Sequence, residues 1–259
     1  MLDDIKNIGI IGAGNVAWHM AKAFKENGLH VSHIYSKTPE NRAALARMVN
    51  AKACDKLKEM EESVDFLLIA VNDDAIKPLS EELKNYKNLI AHTSGSVDLE
   101  VFKNFAHAGV FYPLQTFTKD IAINYSKIPF FIEARQNEDL KILKAIANKV
   151  SPYVFEANSK QRMDIHIASV FACNYVNYMY LIAQDILKQN NLPPQAIDSL
   201  IAETSRKVIG NDARKMQTGP ARRNDIQTLN KHIKILQSNP QYANIYKLLA
   251  DSINKTYNS

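Results

Sequence analysis

The feature that most constrains this chain is an alternation that fills its first half and then stops. Ile5–Ile11 predicts a strand, Val16–Glu26 a helix, His30–Tyr35 a strand and Pro39–Val49 a helix. Asp65–Val71 is an apolar run of the kind buried on both faces of a sheet. Asp74–Lys84 predicts a helix with Pro78 as its weak point, and Asn88–His92 the next strand. Strand and helix alternating at this spacing predict a parallel sheet with right-handed crossovers. Gly109–Tyr112, Phe130–Glu133 and Tyr153–Phe155 predict three further strands, with Glu138–Lys149 as a helix between the last two.

After Glu156 the strand signals cease. Lys160–Gln189, Pro194–Ile209, Asp225–Gln237 and Gln241–Tyr257 predict helices only, and Pro193-Pro194 separates the first two. A domain boundary is therefore expected near Ala157, giving an α/β domain over 1–157 and an all-α domain over 158–259.

Composition removes several function classes. Cys54 and Cys173 make neither a disulfide framework nor a zinc site, so no metal is expected. The acidic start, Met1 to Lys6, does not resemble a signal peptide. Ile165–Gln184 lacks Asp, Glu, Lys and Arg, but its His166, Ser169, Asn174, Asn177 and Gln184 favour a buried helix over a membrane span. A cytoplasmic protein is expected. The net charge of +5 is densest at Arg214, Lys215, Arg222 and Arg223, with no aromatic-plus-basic motif for nucleic acid. A site for an anionic cofactor accounts for the same charges.

The strand Ile5–Ile11 runs into Gly12-Ala13-Gly14-Asn15-Val16-Ala17, the G-x-G-x-x-A pattern of a Rossmann-type dinucleotide site. Gly12 permits the turn, Gly14 admits the pyrophosphate, and Ala17 packs the helix on the sheet. The helix start offers free N–H groups and a positive dipole end, placing Asn15 and Val16 at the phosphates. An NAD site usually has a carboxylate at the end of the second strand for the ribose 2′-OH. Here Tyr35-Ser36-Lys37-Thr38-Pro39 stands there, with Arg42 a turn later, so Ser36, Lys37 and Thr38 favour NADP. Ligands gather outside the carboxyl ends of such strands, which adds Val71, Asn72, His92 and Ser94 as cofactor-binding candidates. Asp73 or Asp74 also suits a helix cap, and His92 also suits a loop histidine.

These residues resemble a known family. Gly12–Ala17, Asn72-Asp73-Asp74-Ala75-Ile76, His92-Thr93-Ser94-Gly95 and Tyr112-Pro113-Leu114-Gln115-Thr116-Phe117 are similar to bacterial Rossmann-like oxidoreductases carrying domain of unknown function 2520. Arg162, His166 and Asn174 resemble its R-x-x-x-H…N helix, and Thr218-Gly219-Pro220 with Arg223 and Asp225 its T-G-P-x-x-R-x-D stretch. The family is remotely similar to pyrroline-5-carboxylate reductase and ketopantoate reductase. The resemblance implies NADP-linked chemistry and a helical domain like the C-terminal one of 6-phosphogluconate dehydrogenase. It names no substrate. Where the family often has His, this chain has Tyr112, and Asn224 replaces its Gly between Arg and Asp. Asn tolerates the left-handed conformation such a turn needs.

On a helical wheel Ile167, Val170, Phe171, Asn174, Tyr178 and Leu181 share one stripe, which places Asn174 on an apolar face. It is either a core hydrogen-bonding residue or a substrate contact. His166 is either structural or a proton donor, and Arg223 either clamps a substrate carboxylate or pairs with Asp225. Asn174, His166 and Arg223 are the catalytic candidates. The expected function is NADP-dependent reduction of a C=O or C=N bond in a small anionic metabolite by a homodimer. The alternative is a dinucleotide sensor or scaffold without hydride transfer.

Overall fold

A strand buried on both faces of a sheet must be apolar at every position, and Phe66-Leu67-Leu68-Ile69 meets that demand: all four are fully buried. In the computed structural model, which describes residues 5–61 and 63–258, this is β4 (Phe66–Ile69), at the centre of one sheet. Met1–Asp4 of the acidic N-terminal stretch lie outside the described residues.

The chain runs β1 (Ile8–Ile11), α1 (Asn15–Glu26), β2 (Val31–Tyr35), α2 (Pro39–Val49), β3 (Lys52–Cys54), α3 (Lys58–Glu61), β4, α4 (Asp73–Glu82) and β5 (Leu89–His92). It continues through β6 (Ala108–Pro113), β7 (Phe130–Ala134), α5 (Asn137–Val150) and β8 (Val154–Glu156). The sheet order is β3-β2-β1-β4-β5-β6-β7-β8. All pairs are parallel except β6–β7, so the expected mostly parallel sheet is present with its last two strands reversed. Strand β3 was not anticipated: it is three residues long with an exposed Lys52 and carries no alternation to read. Pro78 sits inside α4 without ending it.

Period-two alternation divides the core between the sheet's two faces. Ile10, Phe66 and Leu68 pack with Met20, Phe24, Leu45, Leu143 and Ile146 on one face. Ile11, Leu67 and Ile69 pack with Ile76, Leu79, Phe102 and Phe105 on the other.

The helix expected over Lys160–Gln189 consists of α6 (Ser159–Ser169), a π-helical segment (Val170–Tyr175) and α7 (Val176–Gln189). Asn158 and Gln161 start it with a reciprocal capping box. Two compact units divide inside the π segment, the first ending at Asn174 and the second starting at Tyr175. Ala157, the expected end of the first domain, closes the strand-forming part of the chain.

The second unit holds α7, α8 (Asp198–Val208), the short α9 (Ala213–Met216), α10 (Ile226–Leu236) and α11 (Pro240–Asn258). Leu229 and Ala250 pack α10 on α11 with Ala221, Tyr246 and Ile253. The His232 Nδ1–Tyr246 hydroxyl hydrogen bond of 2.8 Å ties the same helices. Asn224 takes φ +54°, the left-handed turn its amide side chain was expected to tolerate, and Asp225 caps α10 through the N–H of Thr228.

Candidate active site

The glycine motif forms a cradle at the carboxyl end of β1. Gly12 has φ +121°, and a Cβ there would lie 2.1 Å from the Ala70 carbonyl oxygen, so only glycine makes this turn. Gly14 differs. Its φ of −79° suits any residue, and a Cβ there would meet nothing within 4 Å. Helix α1 begins without a side-chain cap and with no carboxylate in its first turn, leaving its N–H groups and positive end to an anion. A dinucleotide fits this cradle: the open space over Gly14 is where its pyrophosphate needs room.

A cleft of about 750 Å³ extends from the cradle, lined by Gly12, Gly14, Asn15, Val16, Ser36, Lys37, Val71 and Asn72 among others. Eight of the eleven expected cofactor residues thus line one cavity. Thr38 stands beside it at the start of α2, its N–H toward the Ser36 hydroxyl at 3.4 Å. Neither Asp73 nor Asp74 makes a cap bond to α4; the Asp73 carboxylate instead accepts the hydroxyl of Ser96.

A second cleft of about 790 Å³ shares Val16 and Val71 with the first and is built from the first unit alone. Ser94, Gly95, Tyr112, His166, Cys173 and Asn174 are in its wall. Ser94, the ninth expected residue, also holds its own loop: its hydroxyl accepts the N–H groups of Ser96 and Val97 at 3.1 and 3.0 Å. His92 lies beneath the cleft and lines neither cavity. It is completely buried, its ring lies 5.5 Å from that of Phe102, and its Nδ1 accepts the Ser94 N–H at 3.2 Å. Burial, helped by the charge of Arg162, pushes its pKa down to about 3. This places a neutral structural imidazole where a cofactor ligand was expected, because the last residue of β5 turns into the core.

His166 and Asn174 come together in the second cleft. The His166 Nδ1 lies 3.1 Å from the Tyr112 hydroxyl, while its Nε2 has no partner among the described residues. The rings meet edge to face at 6.1 Å. Gly95 makes this approach possible, since a Cβ there would stand 2.7 Å from His166 Nδ1 and 2.8 Å from Tyr112 Cζ. Burial pushes the Tyr112 phenol above its ordinary range, keeping it protonated. Asn174 is exposed, and so are Ile167, Phe171 and Leu181 of its stripe, so the apolar face is present but is not buried as expected. Arg223 is exposed on the turn before α10 in the second unit.

Two residues that orient this site were not anticipated as such. Tyr112 is the penultimate residue of β6, and its place near a strand's carboxyl end was the available signal. Arg162, 1% exposed, locks α6 to the sheet: one amine is ion-paired with Glu133, the other donates to the Val97 carbonyl.

No curated protein matches the chain. Residues 7–93 match the family described as NADP oxidoreductase, coenzyme F420-dependent, and residues 128–253 the domain of unknown function DUF2520. A structure from Bacteroides fragilis, provisionally described as an NADP oxidoreductase, is 38% identical. The match covers 98% of this chain and all of that one, with a TM-score of 0.93. An imine reductase from Myxococcus stipitatus in complex with NADP+ shares the fold at 14% identity and TM-score 0.69, covering 96% of this chain and 92% of that one. A pyrroline-5-carboxylate reductase from Coxiella burnetii does so at 16% and 0.61, covering 98% and 97%. The chain belongs to the family of NADP-dependent oxidoreductases in which a Rossmann domain precedes the domain of unknown function 2520.

Proposed function

We propose that this enzyme reduces a C=O or C=N bond of a small, anionic metabolite. The observation that carries the reading is the His166–Tyr112 pair: one imidazole nitrogen is held by a buried hydroxyl and the other is left free, in a cleft adjoining the dinucleotide cradle. NADPH, when bound, supplies the hydride. The chain must then supply orientation and one proton. Protonated His166 donates from Nε2 to the substrate oxygen or nitrogen and ends as neutral imidazole, its ring aimed by Tyr112. The exposed amide of Asn174 orients the substrate. The bond class draws on two enzymes of the same fold, named for reducing an imine and a pyrroline carboxylate. An anionic substrate suits the net charge of +5.

The reading includes a cytoplasmic homodimer. Helices α7 and α8 contain no buried residue, and Leu200, Ile209, Ile235 and Leu248 of the second unit are all more than 60% exposed. So much apolar surface calls for a cover. Ser159–Gln189 is long and apolar enough to cross a membrane. Yet Arg162 in its first turns is bound into the sheet by Glu133, which favours a second copy as the cover. Light scattering behind size exclusion reads the oligomer directly.

A panel of α-keto acids and cyclic imines, followed by loss of NADPH absorbance, tests the chemistry. Turnover of one member, lost in His166→Gln with NADPH affinity retained, is the expected result. Tight NADPH binding without turnover of any member would favour a sensor instead.

A further inference from the structure

An ion pair joined to Ser36 in the wall of the first cleft bears on cofactor choice. Arg42 lies in the first turn of α2, its side chain 14% exposed. One terminal amine donates to the Ser36 carbonyl at 3.2 Å, the other is ion-paired with the Asp55 carboxylate, and Nε is buried without a partner. Asp55 follows β3 and is 81% exposed. Ser36 and Lys37 line the cleft, so Arg42 is fastened by its Ser36 contact to the segment expected to meet the cofactor's ribose.

We propose that Asp55 is a specificity-determining residue: an internal counter-ion that occupies Arg42 in the free protein, yields it to the 2′-phosphate of NADPH, and keeps it in the presence of NADH. Charge sets the direction of the exchange. An exposed carboxylate gains little from its cation, because water screens the pair. A phosphate dianion offers a guanidinium stronger, bidentate hydrogen bonds. The neutral 2′-hydroxyl of NADH cannot compete for the cation. The orphaned Nε points the same way, since the present arrangement leaves one buried donor of Arg42 unsatisfied. Asp55 thus opposes the phosphate twice, by holding the guanidinium and by placing a like charge beside the incoming anion.

The inference rests on NADP use and not on the substrate class, so a failed substrate panel leaves it untouched. Calorimetry with NADPH and NADH on the full-length protein tests it. Asp55→Asn is expected to tighten NADPH about three- to fivefold, the scale of an exposed ion pair, while NADH stays within about twofold. Arg42→Met should weaken NADPH about tenfold or more and abolish the effect of Asp55→Asn in the double variant. Apo melting temperatures show that each variant is folded. Weaker or unchanged NADPH binding in Asp55→Asn would overturn the proposal, as would an equal gain for NADH or a gain that survives in the Arg42→Met background.

Discussion

Gly14→Val separates cofactor binding from folding more cleanly than any other change in the cradle. Gly14 has φ −79° and its missing side chain would project into open space, so valine adds no backbone strain and no clash. Gly14 is the N-cap of α1, where valine is poorer than glycine, so the apo variant should stay folded and melt only about 2–4 °C below the parent. The added carbons fill the room left for the pyrophosphate, and NADPH binding should disappear. At ligand concentrations of about 100 Kd a bound cofactor stabilises a protein by about 2.7 kcal/mol, or about 5–10 °C for a chain of this size. The parent should gain that shift with NADPH and the variant none. Gly12→Ala supplies the contrast, because its Cβ would stand 2.1 Å from a carbonyl oxygen at φ +121°; that variant should fail to fold. Scanning fluorimetry with and without NADPH reads all of these outcomes. A Gly14→Val protein that stays folded and still gains the full shift would refute the assignment of this cleft to the cofactor.

Four further outcomes follow from the structure. Asn174→Ala should change apo stability by less than about 0.5 kcal/mol, because the side chain is exposed, while slowing turnover; a urea midpoint that drops by more than that would make Asn174 structural. Gly95→Ala should cost about 1–3 kcal/mol by overpacking and reduce turnover by displacing His166, with NADPH affinity within about twofold by calorimetry. Arg162→Met should cost about 3–5 kcal/mol in urea unfolding, since it leaves the Glu133 carboxylate without its cation. His92 stays neutral in the fold down to about pH 3, whereas an unfolded imidazole titrates near pH 6.5. The unfolded chain therefore binds the extra proton between those values, and this group removes about 1.4 kcal/mol per pH unit as pH falls; His92→Gln should flatten that slope in urea midpoints taken from pH 7 to 4.5.

The local features of this site were legible in the sequence and the non-local ones were not. Gly12 and Gly14 sit in a continuous motif whose meaning comes from the strand before and the helix after. Asn224 could be expected to keep a left-handed turn because it stands where the resembled family has Gly and its amide tolerates that conformation. His92 marked the correct strand end, but one residue of alternation decides between cleft and core, and the buried position won. The stripe through Asn174 was legible but its exposure was not: Ile167, Phe171 and Leu181 are exposed with it, and periodicity does not say what packs against a helix face. The ion pair of Arg162 joins residues 29 positions apart, and the Tyr112–His166 contact joins residues 54 apart. Such pairs exist only once the sheet has been assembled.

The reversal of β7 turns α6 into a ruler laid along the sheet. Because β7 runs against β6, Glu133 stands opposite Val110, two residues before Tyr112. Glu133 fixes the zero mark by binding Ser159 and Arg162, and the helix then runs alongside β6 until His166 reaches the Tyr112 hydroxyl. Arg162 and His166 stand at i and i+4, on one face a single turn apart. One inserted residue between them would rotate the imidazole by about 100° and carry it off the scale. Substitutions on the outer face of this turn should therefore be tolerated, whereas any change in its length misreads the measurement and points His166 away from the cleft.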